Sequence, residues 1–140
     1  MQLQFNGKTA FVYTAAHDID SAKRTIVFVH GAGLDHSWWS LQSRYFGYHG
    51  YNVLAVDLPA HGRSEGPVLA TVEGMADWVF ACLKELKIEK AILVGHSMGS
   101  LIALEFAARY PESAEIIALV GVAYPMKVSD GFLDAAVRYH

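Results

Sequence analysis

The sequence predicts an α/β fold in which a mostly parallel sheet is flanked by helices. Compact apolar runs of four or five residues, rich in valine, isoleucine and leucine, alternate with segments of helical periodicity. The apolar residues in each run are continuous, as expected for strands that are buried on both faces of a parallel sheet. With 140 residues, of which 53% are hydrophobic and 18% charged, the chain suits a single domain that has a core to bury.

Six segments have the pattern of strands. Two short ones flank Asn6-Gly7, a residue pair typical of a hairpin turn, and four buried runs follow them. The six predicted strands are residues 3–5, 9–15, 25–29, 52–56, 91–94 and 116–120.

Three segments have helical periodicity. Apolar residues recur three or four apart in residues 71–86, and small residues recur every four in residues 98–109, where they allow a close approach to the sheet. The third helical pattern covers residues 37–48 and has an apolar stripe. The stripe is formed by Trp38, Leu41, Tyr45 and Tyr48. The positions of Trp38, Trp39 and Trp78 match the spacing of helix faces. We therefore expect these side chains to pack in the hydrophobic core and not to form a binding surface.

Charge and composition argue against several classes of partner. Eleven Lys and Arg against 14 Asp and Glu give a net charge of −3, which does not favour a nucleic acid or an anionic membrane surface. Cys82 is the single cysteine, so no intrachain disulfide can form, and a cysteine-based zinc site is not expected. Three scattered histidines, His17, His36 and His49, lack ligand spacing, so we expect neither a metal nor a cofactor. Residues 1–16 lack the pattern of a signal peptide, which predicts a cytoplasmic protein.

Three strands are each followed by a glycine-containing segment. These segments are HGAG at 30–33, DLPAHGRS at 57–64 and GHSMG at 95–99. Ligands of open α/β sheets bind at the carboxyl ends of the strands, so these segments predict a site at that edge.

The sharpest of the three segments is Gly95-His96-Ser97-Met98-Gly99, which joins a predicted strand directly to a predicted helix. A serine on such a tight turn has a strained backbone, and side chains at the two glycine positions would clash. The turn lifts the Ser97 hydroxyl above the sheet, at a helix N-terminus where negative charge is favoured. Ser97 is therefore predicted to be a nucleophile, the alternative being a serine that only caps the helix.

These three motifs, in this order and spacing, resemble the α/β-hydrolase family over about residues 3–127. Ala60 departs from the glycine that relatives commonly have in the second motif. The resemblance implies that Ser97 is the nucleophile and that the backbone N–H groups of Ala32 and Met98 form an oxyanion hole. Ala32 lies in a loop that Gly31 and Gly33 allow to be tight, and Met98 follows the nucleophile. Such donors are each worth about 3–4 kcal/mol in the transition state.

The remaining residues of the motifs are expected to support the site. His30 should hold the oxyanion loop by hydrogen bonds, and together with Gly31, Gly33 and His96 it is a candidate for the substrate-binding surface. His96 is expected to be a pocket or packing residue and not the general base. His61 and Arg63 are expected to brace their loop, and Asp57 to anchor a turn.

The resemblance also implies parts that this sequence does not supply. In the family the catalytic acid follows the seventh strand and the histidine the eighth, whereas this chain ends after the sixth. Asp130, Asp134 and His140 fall where the family inserts its cap, so the acid and base roles are not transferred to them. We therefore interpret residues 1–127 as the N-terminal part of the hydrolase core, truncated after the sixth strand, and residues 128–140 as the start of the cap.

The predicted function is serine-dependent hydrolysis of a carboxylic ester, thioester or lactone through an acyl-enzyme, with a small-molecule acyl substrate. Without its acid and base the chain alone is expected to be inactive. A non-catalytic binding module, a carbon–carbon bond hydrolase and a perhydrolase remain alternatives. The sixth strand would have an open edge, which predicts either cover by the missing C-terminal half of the fold or self-association.

Overall fold

A computed structural model of the chain describes residues 1–122, which form a six-stranded mixed sheet with helices on both faces. The α/β class is confirmed. The strands are β1 Gln2–Phe5, β2 Lys8–Tyr13, β3 Thr25–Val29, β4 Asn52–Val56, β5 Ala91–His96 and β6 Ala114–Val120. The helices are α1 Ser40–Tyr48, α2 Val72–Glu85 and α3 Met98–Arg109, and a short 3-10 helix, His36–Trp39, leads into α1.

The observed bounds equal the predicted ones for β3, β4 and α3 and differ for the other elements. β2 ends at Tyr13, two residues earlier than predicted, and Ala15 and Ala16 then adopt φ angles of 53° and 61°, which no strand accommodates. α2 begins after Thr71, whose side chain accepts a hydrogen bond from the N–H of Gly74. No helix within residues 1–122 is both long and apolar enough to span a bilayer.

The strand order β1-β2-β4-β3-β5-β6 makes β3 central to the parallel part of the sheet. β3 pairs in parallel with β4 on one side and with β5 on the other. The carboxyl ends of these three strands, which carry the three motifs, therefore lie side by side at one edge. β1 and β2 are antiparallel, and β2 pairs with the outer side of β4.

Two cores cover the two faces of the sheet because successive residues of β3 point in opposite directions. Val27 and Val29 pack in a larger core with side chains of α2 and α3, including Val79 and Phe106. Ile26 and Phe28 pack on the other face in a smaller core, which includes Trp39, Val53 and Ala55. The prediction that Trp39 belongs to the core is confirmed, and Trp78 is partly buried against the larger core.

The stripe predicted for residues 37–48 lies on the solvent side of the helix. Trp38 is 51% exposed and Tyr48 is 85% exposed, and Leu41 and Tyr45 are also exposed. The core-facing side of α1 instead carries Ser43, Phe46 and Gly47. The core position predicted for Trp38 is therefore wrong, since Trp38 belongs to the 3-10 helix, whose turn differs from the α-helical period.

β6 is the outermost strand of the sheet and is largely exposed. It pairs with β5 in parallel, yet Ile116 is 50% and Val120 is 46% exposed, so burial on both faces, as predicted for this strand, is wrong. Within residues 1–122, no strand pairs with its outer edge. The predicted cap, residues 128–140, lies outside the described residues, so its assignment stays a prediction.

We expect the chain to self-associate through this apolar edge, because an unpaired strand is a template for pairing with another chain. Ile116→Lys should reduce the association, since a charged side chain on an edge strand opposes such pairing. Sedimentation velocity over a range of concentrations would measure the effect. Leu104→Lys, which introduces the same charge on the exposed face of α3, is the matched control and should leave the association unchanged. A wild-type chain that stays monomeric at the highest concentration would contradict the expectation.

Candidate active site

Ser97 is the single residue between the end of β5 and the start of α3. Its φ and ψ angles are 54° and −117°, a combination that non-glycine residues rarely adopt. The Ser97 side chain accepts no capping hydrogen bond from the first turn of α3. The side-chain cap of the alternative interpretation is thus not seen in the described residues, and the turn places Ser97 at the carboxyl edge of the sheet.

The glycines on either side of Ser97 allow α3 to lie directly against the sheet. A Cβ atom on Gly95 would overlap the backbone of Gly99, and one on Gly99 would overlap the carbonyl oxygen of Val29. Both obstacles are backbone atoms, which cannot move aside as a flexible side chain can. This geometry explains why the turn has glycine at both positions.

The loop after β3 lies against this turn. A Cβ atom on Gly31 would be 3.3 Å from the Cβ atom of Ser97. Gly33 has a φ angle of 75°, which favours glycine. Ala32 and Met98 line the same cavity. Met98 is the first residue of α3, and the N–H groups of a first helical turn have no acceptor within the helix, so this N–H can serve a ligand.

His30 is fully buried beneath this loop and links it to the segment after β4. Its Nδ1 atom is 2.7 Å from the carbonyl oxygen of Gly31, and its Nε2 atom accepts a hydrogen bond of 3.1 Å from the N–H of Leu58. These two contacts assign a neutral ring with its proton on Nδ1. Burial lowers the pKa of His30 below its usual value, which favours the same neutral form. His30 has no exposed surface, and its two hydrogen bonds join the loop after β3 to the segment after β4, while its predicted place in the substrate-binding surface stays a prediction.

Asp57 is the buried anchor of the segment after β4. One carboxylate oxygen accepts a hydrogen bond of 2.7 Å from the backbone N–H of His36. The same oxygen lies 2.9 Å from Nδ1 of the His36 ring. The other carboxylate oxygen accepts a hydrogen bond of 2.8 Å from the N–H of Arg63. Gly62 has a φ angle of 51° and lies directly against this carboxylate. A Cβ atom at position 62 would overlap the carboxylate of Asp57. Asp57 therefore joins two loops, as predicted for a turn anchor.

The fold also brings together Asp35, His36 and Asp57, whose potential ligand atoms lie within 4.8 Å of one another. Sequence spacing did not indicate this group, because Asp57 is far from the other two along the chain. The hydrogen bonds of the loop account for it: His36 contacts Asp57, and Asp35 accepts a hydrogen bond of 2.8 Å from the N–H of Ser37.

His96 lies half-buried at the end of β5, and its ring packs against that of Trp38 at a tilt of 34°, with 4.9 Å between centroids. The ring also lies close to Gly31 and Gly121, since a Cβ atom on either glycine would come within 3.4 and 3.8 Å of it, respectively. Its Nδ1 atom is buried and has no hydrogen-bond partner among the described residues, which fits a packing residue. Trp38 is thus an exposed aromatic residue beside the turn formed by residues 95–99, which we call the elbow. The helical periodicity of residues 37–48 did not predict that position.

Gly99→Ala should destabilise the protein by about 1–3 kcal/mol, because the new methyl group would press against the backbone of β3. Gly66→Ala is the matched control, since a Cβ atom there would meet only ordinary contacts, the nearest at 3.5 Å. Urea unfolding followed by circular dichroism would measure both variants. Equal stability of the two variants would contradict the close approach of α3 to β3.

Burial of neutral His30 predicts a dependence of stability on pH. Because the folded state lowers the pKa of His30 from 6.5, the unfolded chain binds the proton more readily. The free energy of unfolding should therefore fall as the pH is lowered through about 6.5, and His30→Gln, which cannot titrate, should reduce that slope. Unfolding at a series of pH values between 8 and about 5 would measure it, since carboxyl groups titrate mainly below that range. An unchanged slope in His30→Gln would rule out this origin.

Comparison with known proteins agrees with this geometry. A sequence model described as alpha/beta hydrolase fold matches residues 24–139. The chain is 33% identical over 100 residues to (E)-2-((N-methylformamido)methylene)succinate hydrolase of Acinetobacter baylyi, covering 71% of this chain and 38% of that protein. It is 35% identical over 113 residues to the AB hydrolase superfamily protein YisY of Bacillus subtilis, covering 80% of this chain and 40% of that protein.

A solved structure has the same architecture. The structure titled "Est816 as an N-Acyl homoserine lactone degrading enzyme" matches with a TM-score of 0.74 and 25% identity, covering 85% of this chain and 44% of that one. The chain thus spans about two fifths of the length of these three proteins.

Proposed function

This chain belongs to the alpha/beta hydrolase fold family, and on that premise we propose that it supplies the nucleophile and the oxyanion hole of a serine hydrolase. The substrates would be carboxylic esters, thioesters or lactones. The observation that carries the proposal is the strained backbone of Ser97, which is held in the one-residue turn between β5 and α3. Strain of this kind persists where the surrounding structure enforces it, and it is concentrated at functional sites.

In the proposed reaction the Oγ atom of Ser97 attacks the acyl carbonyl carbon and forms a new C–O bond. The carbonyl oxygen becomes an oxyanion, and the N–H groups of Ala32 and Met98 donate hydrogen bonds to it. The bond to the leaving group then breaks, and the proton lost by Ser97 passes through a general base to the leaving oxygen or sulfur. Water hydrolyses the acyl-enzyme by the same steps and releases the carboxylic acid.

The general base and its supporting acid are not assigned to any described residue. His96 does not suit the role, because its ring packs between Gly31, Gly121 and Trp38. Asp130, Asp134 and His140 lie outside the described residues. The relatives support the reaction class through their names, one a hydrolase of a substituted succinate and one an enzyme that degrades a lactone. The cytoplasmic location expected from the sequence stays a prediction.

The full protein should react covalently with a fluorophosphonate probe at Ser97, because such probes mimic the acyl carbonyl that a nucleophilic serine attacks. Ser97→Ala should abolish the labelling. Ser113→Ala, which changes a serine in the turn between α3 and β6, should label like the wild type. Mass spectrometry of the labelled peptide would identify the site.

Labelling that survives in Ser97→Ala would show that another residue is the nucleophile. No labelling of the wild type, together with ligand binding that is indifferent to Ser97→Ala, would instead favour the non-catalytic binding module.

A further inference from the structure

A cavity of about 260 Å³ opens beside the elbow, between the loop after β3 and the segment after β4. Ala32 and Met98, the two residues of the proposed oxyanion hole, form one side of it. The opposite wall is apolar and comes from the segment between β4 and α2 and from the first turn of α2. Its side chains include Val68, Leu69 and Met75.

We propose that this cavity is the subsite for an apolar acyl chain and that the methyl group of Ala60 limits the length of that chain. The proposal rests on the proposed function, because it assumes that the carbonyl carbon of the substrate lies next to Ala32 and Met98 of the proposed oxyanion hole. A cavity that shares Ala32 and Met98 with the oxyanion hole is adjacent to that carbon, so a substituent of the carbon can enter it directly.

The size of the cavity suits a chain of medium length. A cavity of about 150 Å³ accommodates benzene, with its six carbon atoms. By the same proportion, a volume of about 260 Å³ suits an acyl group on the order of six to ten carbon atoms.

The lining favours a hydrocarbon over a polar group. His61 is the one lining residue with a polar side chain, and no lining residue has a carboxylate, an ammonium or a guanidinium group. The Nδ1 atom of His61 is 3.0 Å from the carbonyl oxygen of Pro59, and its ring lies 5.0 Å from that of His30. These contacts fix the ring against the loops. A charged acyl chain would therefore lose its hydration in this cavity without gaining an ionic partner.

Ala60 has an unusual backbone for an alanine. Its φ angle is 64°, a left-handed conformation that costs an L-residue about 1–2 kcal/mol and that glycine adopts freely. A glycine would relieve this strain but would also remove a methyl group from the cavity wall. The chain therefore has an alanine in a position where the backbone favours glycine and where the residue, although exposed, lines the cavity.

Binding of n-alkyl methyl ketones of increasing length, followed by amide chemical shifts in Ser97→Ala, would test the proposal. These ketones resemble an acyl group and cannot be hydrolysed. Affinity should rise about fourfold for each methylene group that the cavity buries and then level off. The shifts should be concentrated at Ala60, Leu69 and Met75.

Three variants in the Ser97→Ala background make the test specific. Ala60→Gly should move the plateau to longer chains, and Val68→Trp, which adds bulk at an exposed part of the wall, should move it to shorter ones. Ala16→Gly is the matched control, because Ala16 is also exposed and has a similar φ angle of 61° but does not line the cavity. This substitution should relieve the same backbone strain without changing the subsite. Both glycine variants should raise the melting temperature.

Several results would overturn the proposal: affinity that does not depend on chain length, shifts remote from the cavity, or a plateau that Ala60→Gly leaves in place. Since the binding series uses Ser97→Ala, its outcome does not depend on the reactivity of Ser97. A failure to label Ser97 with the fluorophosphonate would refute the proposed function and leave the binding result to be judged by itself.

Discussion

The contact on which the site depends is the approach of α3 to the backbone of β3 and β5. Gly99 lies against the carbonyl oxygen of Val29, and Gly95 lies against Gly99, with no room for a side chain at either position. This contact fixes where the helix begins relative to the sheet. Ser97 must complete the connection in one residue, and the positive φ angle of Ser97 is the local cost of that connection. The core around Ile102 and Phe106, both fully buried, supplies the packing that offsets it.

Two buried polar residues then position the loops around Ser97. His30 holds its own loop and accepts a hydrogen bond from Leu58, while Asp57 accepts hydrogen bonds from the segments on both sides of it. Hydrogen bonds of this kind are stabilising when every buried group has its partner, and a lost partner leaves a costly unpaired group. These two buried side chains therefore tie the loops that form the proposed oxyanion hole and the cavity to the interior of the protein.

The sequence predicted those parts of the structure that depend on local chemistry. β3, β4 and α3 have their predicted bounds, because short runs of buried residues and the glycine turn leave few alternatives. The exposed stripe of α1 was misjudged, since an aromatic stripe at helical spacing does not reveal which side the sheet occupies, and Phe46 and Gly47 form the side that packs. The contact between Trp38 and His96, the grouping of Asp35 with Asp57, and the cavity all join residues distant in sequence. Such contacts follow from the strand order, which no local pattern encodes.

The central position of β3 also constrains the order in which the sheet can assemble. 22 residues separate β4 from β3, whereas 61 residues separate β3 from β5, which pairs with the other side of β3. During synthesis from the N-terminus, β1 to β4 can pair while that side of β3 stays open until β5 emerges. Parallel pairings over such long separations form slowly, because the entropy of closing the long loop is lost before the contacts between the strands are gained. β5, the strand that covers this side of β3, ends directly before Ser97, so Ser97 reaches its place in the same step that gives β3 its second neighbour.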